Sequence, residues 1–202
     1  MFDARFAERV ARRYRTRGLD RPSRRLADFL VGQGIEGATV LEVGGGVGEI
    51  ELELLRAGAA HATNLELSPG YEREAAKLRE EAGLADRAEL RLHDLAVDSG
   101  SVEPADVVVL HRVVCCYPDY ERLLAAAADR ARRLLVFSYP PRNPLTRAFV
   151  AVQHAVFRIM GREYRAFAHP PAAMLAVLER HGLAPVYRHR GLVWQIAGLE
   201  RA

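Results

Sequence analysis

The stretch Val40-Leu41-Glu42-Val43-Gly44-Gly45-Gly46-Val47-Gly48 limits the fold more than any other part of the chain. Thr39 to Val43 is short, apolar and β-branched, as a buried strand requires, and Glu49 to Ala57 carries Ile50, Leu54 and Leu55 on one helical face. Glycines between a strand and a helix let the backbone turn sharply and let a ligand approach where no Cβ intervenes. The N–H groups opening the helix can receive a carboxylate or phosphate. A dinucleotide loop needs Gly-x-Gly-x-x-Gly; Gly44 and Gly46 fit, but Glu49 stands at the third position. A P-loop needs a lysine at its end, and none is present. What remains is acid-x-Gly-x-Gly-x-Gly, carried by Glu42, Gly44, Gly46 and Gly48.

Strands and helices alternate downstream. Strands are expected at Ala62–Leu67, Ala88–Leu92, Ala105–Leu110 and Arg133–Ser138, with helices at Tyr71–Ala82 and Asp119–Arg130. Ala88–Leu92 alternates polar and apolar like an edge strand, whereas Asp106 is followed by Val-Val-Val-Leu, which suits a strand covered on both faces. The alternation argues for an α/β fold, a mostly parallel sheet with helices on both faces. Two helices precede it. The first carries Phe2, Phe6, Val10 and Tyr14 on one stripe and ends at Gly18; the second opens with Pro22, buries Leu26, Phe29 and Leu30, and stops at Gly34. Further helices are expected at Leu145–Met160 and Pro171–His181, then a hairpin of Pro185–Arg190 and Leu192–Gly198 separated only by Gly191. The 202 residues thus read as one domain: a helical cap (1–36), a cofactor-binding core (37–140), a helical insert forming the substrate pocket (141–170), and a closing helix and hairpin (171–202).

Composition excludes several classes. Half the residues are apolar and 27% are charged, as in soluble globular domains, and no apolar run is long enough for a membrane span. The N-terminus lacks the apolar segment of a secretion signal. A net charge of +3 does not demand a nucleic-acid partner. Lys77 is the only lysine among 29 basic residues, which reads as codon bias. Cys115 and Cys116 are adjacent and bridge only with strain, which points to a reducing, cytoplasmic compartment. No His/Cys/Asp grouping has metal-ligand spacing.

Two further acids join Glu42 at the carboxyl edge of the expected sheet. Glu66-Leu67 ends the second strand, where a carboxylate can accept both hydroxyls of a ribose, and Asp94-Leu95 follows the third. With the loop at Glu42, Gly44, Gly45, Gly46 and Gly48, these residues make the chain resemble the class I S-adenosylmethionine-dependent methyltransferases from about residue 37 to 198. The resemblance implies a seven-stranded sheet of order 3-2-1-4-5-7-6 with strand seven antiparallel. It implies S-adenosyl-L-methionine as cofactor, with Asp94 meeting the adenine amino group and the Leu95 N–H a ring nitrogen. The segment from Arg165 to His169, with the Trp194 strand, is similar to small-molecule methyltransferases. It also resembles the magnesium-protoporphyrin O-methyltransferases, from which no substrate is carried over.

In that family the residues after strand four face the transferred methyl, here His111 to Pro118. The chain lacks the Asn/Asp-Pro-Pro motif of base-amine methyltransferases there, and neither cysteine follows a proline as in cytosine C5 enzymes. Cys115 and Cys116 read as small buried residues. His111 is the first candidate general base, its ordinary pKa lying near neutrality, or else it packs on the cofactor's methionine end. His169 is the second candidate, and Tyr14 either covers the cofactor or packs on the sheet. His61, His181 and His189 read as surface residues. Phe149, Phe157, Met160, Tyr164 and Phe167 form an aromatic region suited to a partly apolar small acceptor or to a homodimer partner. The function expected is methyl transfer to a hydroxyl, carboxyl or amine of a small molecule. The arginine-rich first helix leaves an RNA or protein acceptor open, and a non-catalytic cofactor-binding partner subunit is the third alternative.

Overall fold

A computed structural model describes residues 3–141 and 167–202. Its sheet comprises β1 (Thr39–Val43), β2 (His61–Glu66), β3 (Ala88–Leu92), β4 (Ala105–Leu110), β5 (Ala131–Tyr139), β6 (Leu183–Arg190) and β7 (Gln195–Arg201). The order is β3-β2-β1-β4-β5-β7-β6, and β7 alone runs antiparallel to its neighbours β5 and β6. The described helices are α1 (Ala4–Arg17), α2 (Arg21–Gly32), α3 (Glu49–Arg56), α4 (Glu72–Glu81), α5 (Tyr120–Arg130) and α6 (Pro171–Arg180). The topology implied by the glycine loop and the strand-end acids is therefore the one observed.

The apolar run of β4 explains the two layers. Val107 and Val109 join Leu26, Leu30, Ile50 and Leu54 under α2 and α3. Val108 and Leu110 face the opposite way, against Leu123, Leu124, Phe137 and Met174 under α5 and α6. A strand that alternates its side chains between two covered faces has no solvent side, so every residue can be apolar. Helix ends follow local chemistry. Asp3, Asp20 and Asp119 cap α1, α2 and α5 by accepting from the N–H groups of Phe6, Ser23 and Arg122, and Pro22 stands in the first turn of α2.

Arginine closes many carbonyl ends. Arg133 donates to the carbonyls of Gln33 and Gly34 just past α2, at 2.9 and 2.7 Å. Arg87 reaches Leu55, Ala59 and Ala60 beyond α3, and Arg201 reaches Ala128, Ala131 and His181. A guanidinium fork can satisfy two or three orphan carbonyls at once, which an ammonium point charge does less well. Part of the arginine excess thus has a structural use beyond codon bias.

The hairpin departs from expectation. The connection spans residues 191–194 rather than Gly191 alone, and β7 begins at Gln195. Leu192 and Val193 are 95% and 68% exposed, so these apolar residues form the tip instead of continuing a strand. The expected helix at Leu145–Met160, and with it Phe149, Phe157, Met160 and Tyr164, lies outside the described residues. Among the described residues no helix is long and apolar enough to cross a membrane.

Candidate active site

The carboxyl ends of β1, β2 and β4 converge on the glycine loop. Gly44 has φ +65°, and a Cβ there would meet Val113 Cγ2 at 2.6 Å. Gly45 is required for space instead: its Cβ would lie 2.6 Å from Glu42 Cδ and 2.9 Å from Asn64 Nδ2. The loop is pinned by β2. Gly45 N–H donates to Asn64 Oδ1 at 3.1 Å, and Gly46 N–H donates to Glu66 Oε2 at 3.1 Å. Glu66 Oε1 accepts from the N–H groups of Leu67 and Ser68 at 2.8 and 2.9 Å. The Glu42 carboxylate accepts from Glu51 N–H at 3.0 Å. Burial, with nearby Glu51, raises the Glu42 carboxyl well above the usual range. Gly48 sits immediately before α3.

A cavity of about 500 Å³ opens in front of this loop, covered by Phe6, Arg9, Val10 and Arg13 of α1. Its far wall is His111, Arg112, Cys115, Cys116 and Trp194, and Glu42, Glu49 and Tyr71 also line it. Four buried polar atoms around it have no partner among the described residues: Arg13 Nε, Glu49 Oε2, His111 Nδ1 and Arg112 Nε. Buried polar atoms in native proteins are generally paired, and these four belong to residues that line one cavity.

Asp20, the cap of α2, organises the wall. It accepts from Arg112 Nη2 at 2.6 Å, from Arg13 at 3.4 Å, and from Ser23 Oγ at 2.8 Å. Burial opposes its charge, but the Ser23 and Arg112 hydrogen bonds outweigh burial and hold the carboxyl well below the usual range. Ser23 Oγ also lies 3.1 Å from His111 Nε2. Arg112 is the only non-glycine residue with positive φ among the described residues, at +62°, and its guanidinium stands 5.2 Å from the Trp194 ring centroid.

His111 stands on the cavity wall as expected from its place after β4, but its chemistry differs. Burial, aided by the Arg112 charge, pushes its pKa down to about 3, so the imidazole is neutral and weakly basic. The ordinary value near neutrality does not carry over to this buried imidazole. His169 is not among the cavity residues. Its Nε2 lies 3.0 Å from the Tyr117 carbonyl, and its ring sits between Phe167 and Tyr120 at 5.4 and 4.5 Å. Tyr14 also points elsewhere: its hydroxyl donates to Glu53 at 2.8 Å and accepts from Arg56 at 2.6 Å. The stripe of α1 was legible, but α1 covers the cavity with Phe6, Arg9, Val10 and Arg13 rather than with Tyr14.

Asp94 accepts from Ala96 N–H at 3.0 Å and, through both oxygens, from Tyr117 O–H at 3.1 Å. The Leu95 side chain is buried in the second core layer, whereas Leu67 and Leu92 are half-exposed at the same sheet edge. Cys115 and Cys116 are not joined by a disulfide, their sulfurs lying 3.6 Å apart; Cys115 is buried, and both also line the cavity. Sequence reasoning missed Arg13, Asp20 and Tyr71, and named Arg112, Tyr117 and Trp194 only as parts of longer segments, with no role of their own. The detectable signal was Arg9 and Arg13 on the same face of α1 as Phe6 and Val10. Among the described residues no three His, Cys, Asp or Glu side chains group as metal ligands.

Known proteins match this arrangement. The structure is similar to a magnesium protoporphyrin IX methyltransferase from Synechocystis with bound SAH, at 21% identity and a TM-score of 0.73, covering 90% of this chain and 82% of that one. It is similar to an O-methyltransferase family 2 protein from Planctomyces limnophilus in complex with apigenin, at 23% identity and TM-score 0.71, over 97% of this chain and 62% of that one. A TehB-like SAM-dependent methyltransferase from Corynebacterium glutamicum matches 99% of this chain and 100% of its own, with 18% identity and TM-score 0.68. No curated protein matches the sequence significantly. The family model described as a methyltransferase domain matches residues 7–195, and the chain belongs to that methyltransferase family.

Proposed function

We propose that the chain transfers a methyl group from S-adenosyl-L-methionine to a small, partly apolar acceptor. The observation that carries this reading is the cavity beside the glycine loop with unpartnered donors and acceptors on its wall. The cofactor supplies an electrophilic methyl on a sulfonium. Its amino-acid end is a zwitterion, which needs both a cation and acceptors; Arg13 Nε offers the first, and Glu49 Oε2 and His111 Nδ1 offer the second. Glu66 and Asp94 take the ribose and adenine roles, with the Leu95 N–H beside Asp94 and Leu67 as an apolar surface for the base. The chain's work is then chiefly positioning, because a sulfonium methyl needs little further activation. With His111 neutral and Ser23 beside it, the imidazole acts as a fixed polar contact rather than a strong base.

Two of the six arginines of α1 are already held by acids of the same chain, which weakens the case for an RNA acceptor. Arg13 is engaged by Asp20 and Glu49, and Arg15 by Glu74 and Glu81, so neither is a free phosphate contact. Cysteines without a disulfide suit a reducing, cytoplasmic setting.

S-Adenosylhomocysteine at about 100 times its Kd is expected to stabilise the protein by about 2.7 kcal/mol, seen as a raised Tm, while NAD gives no shift. A shift with NAD and none with either sulfur nucleoside would overturn the reading. Glu66→Ala is expected to weaken cofactor binding by about 1.5–3 kcal/mol, the cost of lost charge-assisted hydrogen bonds. Calorimetry on the folded variant checks this, and unchanged affinity places the ribose elsewhere.

A further inference from the structure

Arg112 combines three features that no other described residue shares. It stands two residues past the end of β4, it is held at φ +62° although it carries a side chain, and it lines the cavity. Backbone strain of this kind costs free energy and persists where surrounding contacts fix it. Here the contacts are Ser138 Oγ, which accepts the Arg112 N–H at 2.9 Å, and Asp20, which accepts from Nη2. The result is a guanidinium aligned against Trp194 with its Nε buried and unpartnered.

The charges around it are unbalanced. Arg9, Arg13 and Arg112 all line the cavity; of the acids there, Asp20 is shared by Arg13 and Arg112, Glu49 pairs with Arg13, and burial raises the Glu42 carboxyl well above the usual range. Burial raises the Glu49 carboxyl, which weakens its charge further. A sulfonium adds one more positive charge. An excess of cationic groups around one cavity favours an anion there.

We propose that Arg112, fixed by Asp20 and backed by Trp194, receives a carboxylate of the acceptor, and that this carboxylate is the group methylated. The proposal rests on the methyltransferase reading above. A carboxylate oxygen forms the new O–CH3 bond as the S–CH3 bond breaks and its electron pair returns to sulfur. A neutral methyl ester and a neutral thioether result, and no proton is released. A hydroxyl or ammonium acceptor would need a base, and the histidine on this wall is a poor one. A planar carboxylate also matches the guanidinium fork.

The test uses three molecules with one body and different heads: trans-cinnamate, cinnamyl alcohol and cinnamylamine. Each is titrated into the full chain saturated with S-adenosylhomocysteine. Cinnamate is expected to bind at least about tenfold more tightly than the others, with an affinity that falls as salt rises. Arg112→Gly suits the backbone conformation and is expected to lose the cinnamate preference, with S-adenosylhomocysteine still bound but more weakly because Asp20 loses this partner. Arg112→Gln carries the same comparison if the glycine variant does not fold. With labelled S-adenosylmethionine, label accepted from cinnamate is expected in an alkali-labile ester, with no proton released per turnover. Equal or weaker binding of cinnamate, absence of binding by all three, or a preference that survives loss of Arg112 overturns the proposal. Failure of S-adenosylhomocysteine itself to bind overturns the methyltransferase reading instead.

Discussion

Gly44→Ala is expected to destabilise the protein by about 2–5 kcal/mol, from two separable sources. The left-handed backbone conformation at φ +65° costs a side-chain-bearing residue about 1–2 kcal/mol. The new Cβ would also press on Val113, whose Cγ2 lies 2.6 Å away, and overpacking of this kind costs about 1–3 kcal/mol. Adding Val113→Ala removes the second source and leaves the first, so the double variant is expected to recover part of the loss. Urea unfolding of the two single variants and the double variant measures each share. Additive losses would show that the two residues do not meet. Cofactor affinity is expected to fall in Gly44→Ala as well, because the Gly44 N–H anchors the loop to the Leu65 carbonyl at 2.6 Å.

Glu51→Gln is expected to flatten the pH dependence of stability between pH 4.5 and 8. Glu51 is fully buried on α3, and neither of its carboxyl oxygens has a partner among the described residues. Burial pushes its pKa from 4.5 to about 8, with the Arg79 charge opposing the shift. Between those values the folded protein keeps a proton that the unfolded chain releases. The stabilisation is complete below pH 4.5 and is lost as the pH rises to about 8, by about 3–5 kcal/mol over the window. Glutamine does not titrate, so the variant gains on the parent by that amount as the pH is raised. Denaturant midpoints at several pH values across the window decide the matter; parallel curves for parent and variant would show that Glu51 is not buried as an acid.

The elements legible in the sequence are those whose burial follows from local pattern. The Val-Val-Val-Leu run of β4 announced two covered faces, and the alternation of β3 announced an edge. The loop, and the positions of Glu42, Glu66 and Asp94 at the carboxyl ends of β1, β2 and β3, were legible because motif and spacing lie within a few residues. Leu192 and Val193 misled because apolarity argues for burial, while a hairpin tip can leave such residues in water. Tyr14 was open between covering the cofactor and packing, and it sits in the core, because helical periodicity gives a face but not which residue on it meets the ligand. The Asp20–Arg112–Trp194 arrangement joins residues from three distant parts of the chain, so no local pattern could assemble it. The acidity of His111 likewise depends on burial by neighbours remote in sequence.

The sheet order has a consequence for synthesis. β1 is flanked by β2 and β4, and β4 comes late: Thr39 N–H donates to Asp106 Oδ2 across 67 residues. At a ribosomal rate of about 5–20 residues per second, β4 emerges roughly 3–13 s after β1. Throughout that interval β2 can cover only one side of β1, and the other edge of Val40, Leu41 and Glu42 stays unpaired on the nascent chain. An apolar open edge is a template for association with other chains. The most buried part of the finished fold is therefore the part most exposed to misassembly during translation, and it is where a chaperone has most to protect.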